Sequence, residues 1–109
     1  MEKGNIAVII LTYNEEKHIE RCVANAKLYA SEIFVVDSYS HDRTVEIAQS
    51  LEVTVLQNRF VSHSAQFNWA LQNCPITAEW VWKQDADEYL SLELIEQIKE
   101  QTRSCGPDV

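Results

Sequence analysis

Asp85 and Asp87 stand one residue apart, with Glu88 beside them, in a chain that carries 17 acidic against 9 basic residues. Neighbouring carboxylates repel unless a cation or a proton compensates them. In an extended or turning backbone, residues i and i+2 share a side, so both carboxylates can reach one hard cation while phosphate oxygens fill its remaining positions. The competing reading is a solvated acidic loop that opens the last helix.

Three further segments hold polar side chains suited to a ligand. Thr12-Tyr13-Asn14-Glu15-Glu16 follows the apolar run 6–11; Asn14 is placed to cap a helix beginning at Glu15, whose early glutamates complement the helix dipole. Asp37-Ser38-Tyr39-Ser40 follows the run 33–36. There the Asp37 carboxylate can accept from a ribose hydroxyl or a base N–H, or hold its own turn through Ser38 or Ser40. Gln66 and Asn68, preceded by Ser62, His63 and Ser64, supply neutral donors and acceptors for a sugar or diphosphate, or for capping and solvation. His18, His41 and His63 show no metal-ligand spacing and read as surface residues. Trp69 reads as core or interface packing. Cys22, Cys74 and Cys105 are odd in number and widely spaced, without a CxxC pair, and read as buried free thiols.

The elements that must carry these residues follow from periodicity. The continuous β-branched runs 6–11 and 33–36 predict strands covered on both faces, and 53–56 and 80–82 predict two more. Ile19, Cys22, Val23 and Ala26 recur at helical spacing, as do Phe67, Ala70, Leu71 and Cys74. Residues 42–51 predict another helix, and Leu94, Ile95 and Ile98 a last one, with Ser91 as its N-cap. The order βαβαβαβα predicts an α/β fold with a mainly parallel four-stranded sheet flanked by helices. Such a sheet binds ligands at the carboxyl ends of its strands, where the three acidic and polar segments converge.

Composition narrows the function classes. A chain of 109 residues, 46% apolar and 24% charged, is one domain of an ordinary globular protein. A formal net charge of −8 argues against a nucleic-acid partner, which needs a Lys/Arg surface. It would also repel a phosphorylated ligand unless a metal ion or a local cluster of donors intervened. The two glycines, Gly4 and Gly106, cannot make a G-x-G-x-x-G dinucleotide fingerprint. Phosphoryl transfer on an Asp pair would call for acids at the end of the first strand, where Thr12-Tyr13-Asn14 stands. The run 6–11 is short of the ~20 residues that span a bilayer, and the first five residues lack the order of a secretory signal, so a cytoplasmic location is expected.

Taken together, the segments 9–16, 35–44, 66–71 and 85–88 resemble the family-2 glycosyltransferases of the GT-A fold over about residues 5 to 100. Similar enzymes build bacterial lipopolysaccharide core, capsule or other surface polysaccharide, and include a β-1,4-glucosyltransferase-like branch. The resemblance implies that residues 1–109 are a single, truncated nucleotide-diphospho-sugar-binding domain with a Rossmann-like fold. It implies that Thr12, Tyr13, Asn14, Glu15 and Asp37 contact the nucleoside, commonly uridine. Gln66 and Asn68 would lie near the diphosphate or donor sugar. Asp85 and Asp87 would form the metal-binding DxD, with Asp85 also supporting the donor and manganese or magnesium as the ion. The implied chemistry is an inverting displacement at the anomeric carbon. Relatives often carry Lys or Arg near positions 66–68 or just before the DxD; Phe67 departs from this, and Lys83 is the candidate replacement. No catalytic base is assigned within these residues. A non-catalytic nucleotide-sugar-binding or interaction domain is the alternative. Peripheral membrane association through a missing part, at the inner face, and self-association through an uncovered apolar face complete the expectations.

Overall fold

Five consecutive buried residues, Ile6 to Ile10, make β1 (Ile6–Thr12) the centre of a sheet that it could not leave without exposing both faces. The computed structural model describes residues 5–105, with side chains to residue 101; the Cys105 side chain, Gly4, Gly106 and Pro107 lie outside them. Along the chain follow α1 (Ile19–Ala26), β2 (Glu32–Asp37), α2 (Thr44–Ser50), β3 (Thr54–Gln57), α3 (His63–Asn73), β4 (Trp80–Asp85) and α4 (Leu92–Cys105). The sheet order is β3-β2-β1-β4, and every pairing is parallel. The Rossmann-like α/β architecture expected from the sequence is therefore present.

Side-chain alternation along β1 divides the core. Ile6, Val8 and Ile10 pack with Ile19, Cys22, Val23 and Tyr29, and with Ala48 of α2 and Ile95 and Ile98 of α4. Ala7 and Ile9 point the other way, to Phe34, Val36 and Ala70 and Cys74 at α3. Three helices thus lie on one face and α3 on the other. The chain steps outward from β1 to β3 and then returns to β4, and with right-handed crossovers that reversal sends α3 to the opposite face. It also opens a switch point between β1 and β4, the position at which open α/β sheets bind ligands.

Two local expectations are corrected. Helix α1 begins at Ile19, not Glu15, because Asn14 takes a left-handed φ of 54° and the chain makes a turn over Glu15–His18 first. Asn14 therefore does not cap it. On α3, Gln66 is buried with Ala70, whereas Leu71 is 41% exposed, so the buried stripe is rotated from the apolar spacing. Hydrogen bonds of Gln66 set that orientation, as described below. Ser91 does cap α4, accepting from the Leu94 N–H at 3.2 Å. Trp69 packs partly buried against the second core, and Cys22 and Cys74 are buried free thiols. Among the described residues no helix is long and apolar enough to cross a membrane.

Tyr29 is fully buried, and its hydroxyl has no hydrogen-bond partner among the described residues. An unsatisfied buried hydroxyl costs about 1–3 kcal/mol, so Tyr29→Phe is expected to hold or raise the unfolding midpoint. Ile10→Ala, which empties part of the larger core, is expected to lose about 2–5 kcal/mol. Equilibrium denaturation checks both, and a clear loss of stability in Tyr29→Phe would contradict the assignment.

Candidate functional site

Register brings the chemistry to one edge. Thr12 pairs with Asp37, and Leu11 with Asp85, so the ends of β2, β1 and β4 stand level across the sheet. Asp37 is 0% exposed. Its Oδ1 accepts from the hydroxyls of Thr12 at 2.7 Å and Ser40 at 2.5 Å, and its Oδ2 accepts from the Ser40 N–H at 2.7 Å. The carboxylate thus holds its own turn and ties it to β1.

That turn is stitched to the loop after β1. The Asn14 N–H donates to Ser40 Oγ at 2.7 Å, while Asn14 Oδ1 accepts from the His41 N–H at 2.8 Å. The Glu15 N–H donates to Thr44 Oγ1, and Thr44 in turn donates to Asp42. Burial pushes Asp42 up, but the Thr44 hydroxyl, with backbone N–H groups of Thr44 and Glu16, more than offsets it and leaves the carboxyl below its usual range. Asn14 and Tyr39 both hold left-handed backbone here, φ 54° and 60°, which the two-loop network over-determines. Thr12, Asn14 and Asp37 are therefore committed to the frame. Tyr13 is left 51% exposed, edge-on to His41 at 6.3 Å. Glu15 is partly exposed, with Oε1 2.9 Å from His18 Nδ1.

At the end of β4 the backbone closes a short turn. The Glu88 N–H donates to the Asp85 carbonyl at 3.0 Å, and the Asp85 N–H returns a bond to Glu88 Oε1 at 3.3 Å. Ala86 is buried, so Asp85 and Asp87 face outward on either side of it. Lys83 Nζ lies 3.9 Å from Asp85 Oδ1 on a largely open surface. Asp87 is exposed and has no hydrogen-bond partner among the described residues.

A cavity of about 240 Å³ occupies the crevice between these loops. Thr12, Tyr13 and Glu15 line one side and Asp85 and Asp87 another, with Ser38, Phe60 and His63 closing it. Phe60 stands edge-on to His63, 5.2 Å between ring centres. Phe60 was not read as functional from the sequence, and His63 was read as a surface residue in the polar segment that precedes Gln66. The signal for Phe60 was an aromatic two residues before the Ser62 cap, whose Oγ accepts from the Ala65 N–H at 3.1 Å. Gln66 and Asn68 are not brought to the cavity. Gln66, 1% exposed, donates to Ser38 Oγ at 3.1 Å and to the Asn58 carbonyl at 3.0 Å, and accepts from Asn58 Nδ2 at 2.9 Å. Its amide nitrogen is spent on the frame, one bond to Ser38 and one to Asn58. Asn68, two residues on, is exposed on α3. A larger cavity of about 660 Å³ lies against Trp80, Trp82 and Ile98 at the opposite end of β4, away from the acidic and polar cluster.

Among the described residues no three His, Cys, Asp or Glu side chains form a ready metal cage. Asp85 and Asp87 instead offer two hard oxygen ligands at a concave, partly open position. Such a pair fits a divalent cation that draws its remaining ligands from a phosphorylated partner.

The model of the family described as "Glycosyl transferase family 2" matches residues 7–108. This chain belongs to glycosyl transferase family 2. An uncharacterized glycosyltransferase of Rickettsia bellii (strain RML369-C) is 39% identical over 94 residues, which cover 86% of this chain and 31% of the relative. The SPbeta prophage-derived glycosyltransferase SunS of Bacillus subtilis (strain 168) is 34% identical over 86 residues, 77% of this chain and 20% of SunS. The chain therefore spans a third or less of the length of these relatives. Among solved structures, S. aureus TarS, crystallised in complex with UDP-GlcNAc, matches with a TM-score of 0.68 at 24% identity over 94% of this chain and 31% of that one. Glucosyl-3-phosphoglycerate synthase from Mycobacterium tuberculosis, in complex with Mn²⁺, UDP and glucosyl-3-phosphoglycerate, matches with a TM-score of 0.61 at 20% identity, over 77% of this chain and 35% of that one. These two likenesses show a shared fold.

Burial pushes the Cys22 thiol up to about 12, and Glu15, Asp85, Asp87 and Glu88 push it the same way. A folded pKa above the ordinary thiol value means that the neutral thiol is the form the fold favours. That contribution to stability is complete below the ordinary value of 9.0 and is lost as pH rises through about 12. At pH 8 the thiolate fraction is roughly a thousandfold below that of a free cysteine. Alkylation mapped by mass spectrometry is expected to leave Cys22 unmodified in the native protein at pH 8 and to label it after unfolding. Rapid native labelling would contradict this electrostatic environment.

Proposed function

We propose that the crevice between β1 and β4 binds a nucleotide-diphospho-sugar, a UDP-sugar, together with a divalent cation, Mn²⁺ or Mg²⁺, on Asp85 and Asp87. The reading continues that the chain is the donor-binding part of an inverting glycosyltransferase acting on bacterial surface polysaccharide or lipopolysaccharide. One observation carries it: the Leu11–Asp85 register sets two outward carboxylates at the switch-point crevice of a net acidic protein. A cation offsets the repulsion that such an edge presents to a nucleoside diphosphate, and a cation held by two carboxylates keeps positions free for phosphate. UDP-GlcNAc with TarS, and UDP with Mn²⁺ in the mycobacterial synthase, support the same ligand class.

The chain's own residues divide the work. Asp87, exposed and without a protein partner, is the principal ligand to the metal. Asp85, fixed by β1 and drawn toward Lys83, assists the metal and faces the donor ribose or sugar. Tyr13 and Phe60 offer exposed ring surface on two sides of the cavity for the base or sugar. Asp37, Ser40, Asn14 and Gln66 keep the loops from collapsing into the space. When bound, the metal supplies charge stabilisation for the departing diphosphate.

Metal and nucleotide are then expected to bind with positive coupling, commonly 1–3 kcal/mol or roughly 5–150-fold, each improving the other equally. Asp87→Asn should remove most of that coupling and leave the fold intact, since an exposed carboxylate carries little core stability. Calorimetric titration of UDP into wild type and Asp87→Asn at several manganese concentrations checks this. UDP affinity that ignores manganese in the wild type, or full manganese dependence in the mutant, would return the cluster to a solvated turn.

A further inference from the structure

The turn that carries Asp87 is gripped by one face of α1. Arg21, Cys22 and Asn25 lie three and four residues apart or adjacent, so they share that face. Cys22 Sγ donates to the Asp85 carbonyl at 3.7 Å, a weak contact at the start of the turn. At its far end the Arg21 guanidinium lies over the Tyr89 ring, 4.6 Å from its centre. The strongest grip is Asn25. Its Nδ2 donates to the Leu90 carbonyl at 2.8 Å, and its Oδ1 accepts from the Leu90 N–H at 2.7 Å.

A single carboxamide thus satisfies both backbone groups of a residue 65 positions away, as a neighbouring strand would. It does so where β4 has ended and α4 has not begun. The amide is also neutral, so it adds no charge beside Asp85, Asp87 and Glu88, which an aspartate there would do. Between the two anchored ends stand the neighbouring carboxylates of Asp87 and Glu88, spanned by the hydrogen bonds of the Asp85–Glu88 turn.

We propose that Asn25 is a positioning residue for the metal-binding turn: by pinning Leu90 to α1 it fixes Asp87 beside Asp85, so that one divalent cation meets both. The inference rests on the metal-assisted reading of the site given above. Released from Asn25, the self-repelling turn opens on its far side, and the cation must reassemble its two ligands before it can hold a diphosphate. The lost quantity is therefore the manganese-dependent part of nucleotide affinity, not the nucleotide affinity as a whole.

The experiment compares wild type with Asn25→Ala by UDP titration with and without Mn²⁺, and by amide hydrogen exchange at residues 87–90. Thermal unfolding confirms that the variant is folded. The expected result is metal-free UDP affinity close to wild type, a manganese gain reduced at least roughly fivefold, and exchange at Leu90 faster by about tenfold or more. An unchanged manganese gain in Asn25→Ala overturns the proposal, and so does an equal loss of metal-free and metal-bound affinity, which marks a structural role only. Should Asn25→Ala not fold, Arg21→Ala removes the exposed grip at Tyr89 and must lower the same gain by a smaller factor; no change overturns the proposal. A wild type without any manganese gain sinks the functional reading itself, and the clamp is then decided by exchange alone, with unchanged Leu90 protection in Asn25→Ala removing it too.

Discussion

Four carboxylates, those of Glu15, Asp85, Asp87 and Glu88, act together on the buried thiol of Cys22 at the open end of the sheet. Like charges at this density oppose the compact state, so the backbone has to hold them where electrostatics would scatter them. The parallel pairing of β4 with β1 fixes Asp85, the Glu88 turn fixes its neighbour, and α1 fixes the segment beyond. A protein that keeps such a local conflict in an otherwise self-consistent fold does so at the place where a ligand resolves it. The crevice between β1 and β4, the switch point of the sheet, is where the proposed function puts that ligand.

The opposite wall of the crevice is built on a different principle. Asp37 is a buried anion whose charge is met by three hydrogen bonds inside the protein, and hydrogen bonds to the ionised form are what make such burial tolerable. From it hydrogen bonds run through Ser40 to the Asn14 N–H, and a separate set joins Glu15 through Thr44 to the Asp42 carboxylate. Gln66 extends the frame to the end of β3 by holding Ser38 against Asn58. The result is one rigid, satisfied wall facing one exposed and unsatisfied wall. Under the proposed function, reorganisation on binding falls on the Asp87 side.

The sequence made the frame legible where the cause is local. The β-branched runs at β1 and β2 specify strands covered on both faces, and the pairing of Ile6–Thr12 with both neighbours follows from that burial. The spacing of Ile19, Cys22, Val23 and Ala26 located α1, although its start was misplaced. Whether Asn14 caps a helix or takes a left-handed φ depends on Ser40 and His41, some 26 residues on, and no local pattern encodes that. Gln66 was legible as polar and important but not as buried, because its partners Ser38 and Asn58 come from two other loops. Phe60 escaped, and the place of His63 at the crevice went unread, for the same reason: the crossover from β3 to α3 carries them over to the Asp85–Asp87 edge. The Asp85–Asp87 pair was legible as a pair, since two carboxylates one residue apart stand out in the sequence itself.

The most direct test of the account is the position of the ion itself. Crystals grown with Mn²⁺ and UDP, measured at a wavelength where manganese scatters anomalously, should show one strong anomalous peak within coordination distance of an Asp87 carboxylate oxygen and of a diphosphate oxygen, with Asp85 alongside. UDP bound in the crevice with no manganese at Asp87, or manganese bound elsewhere on the acidic surface, would contradict it.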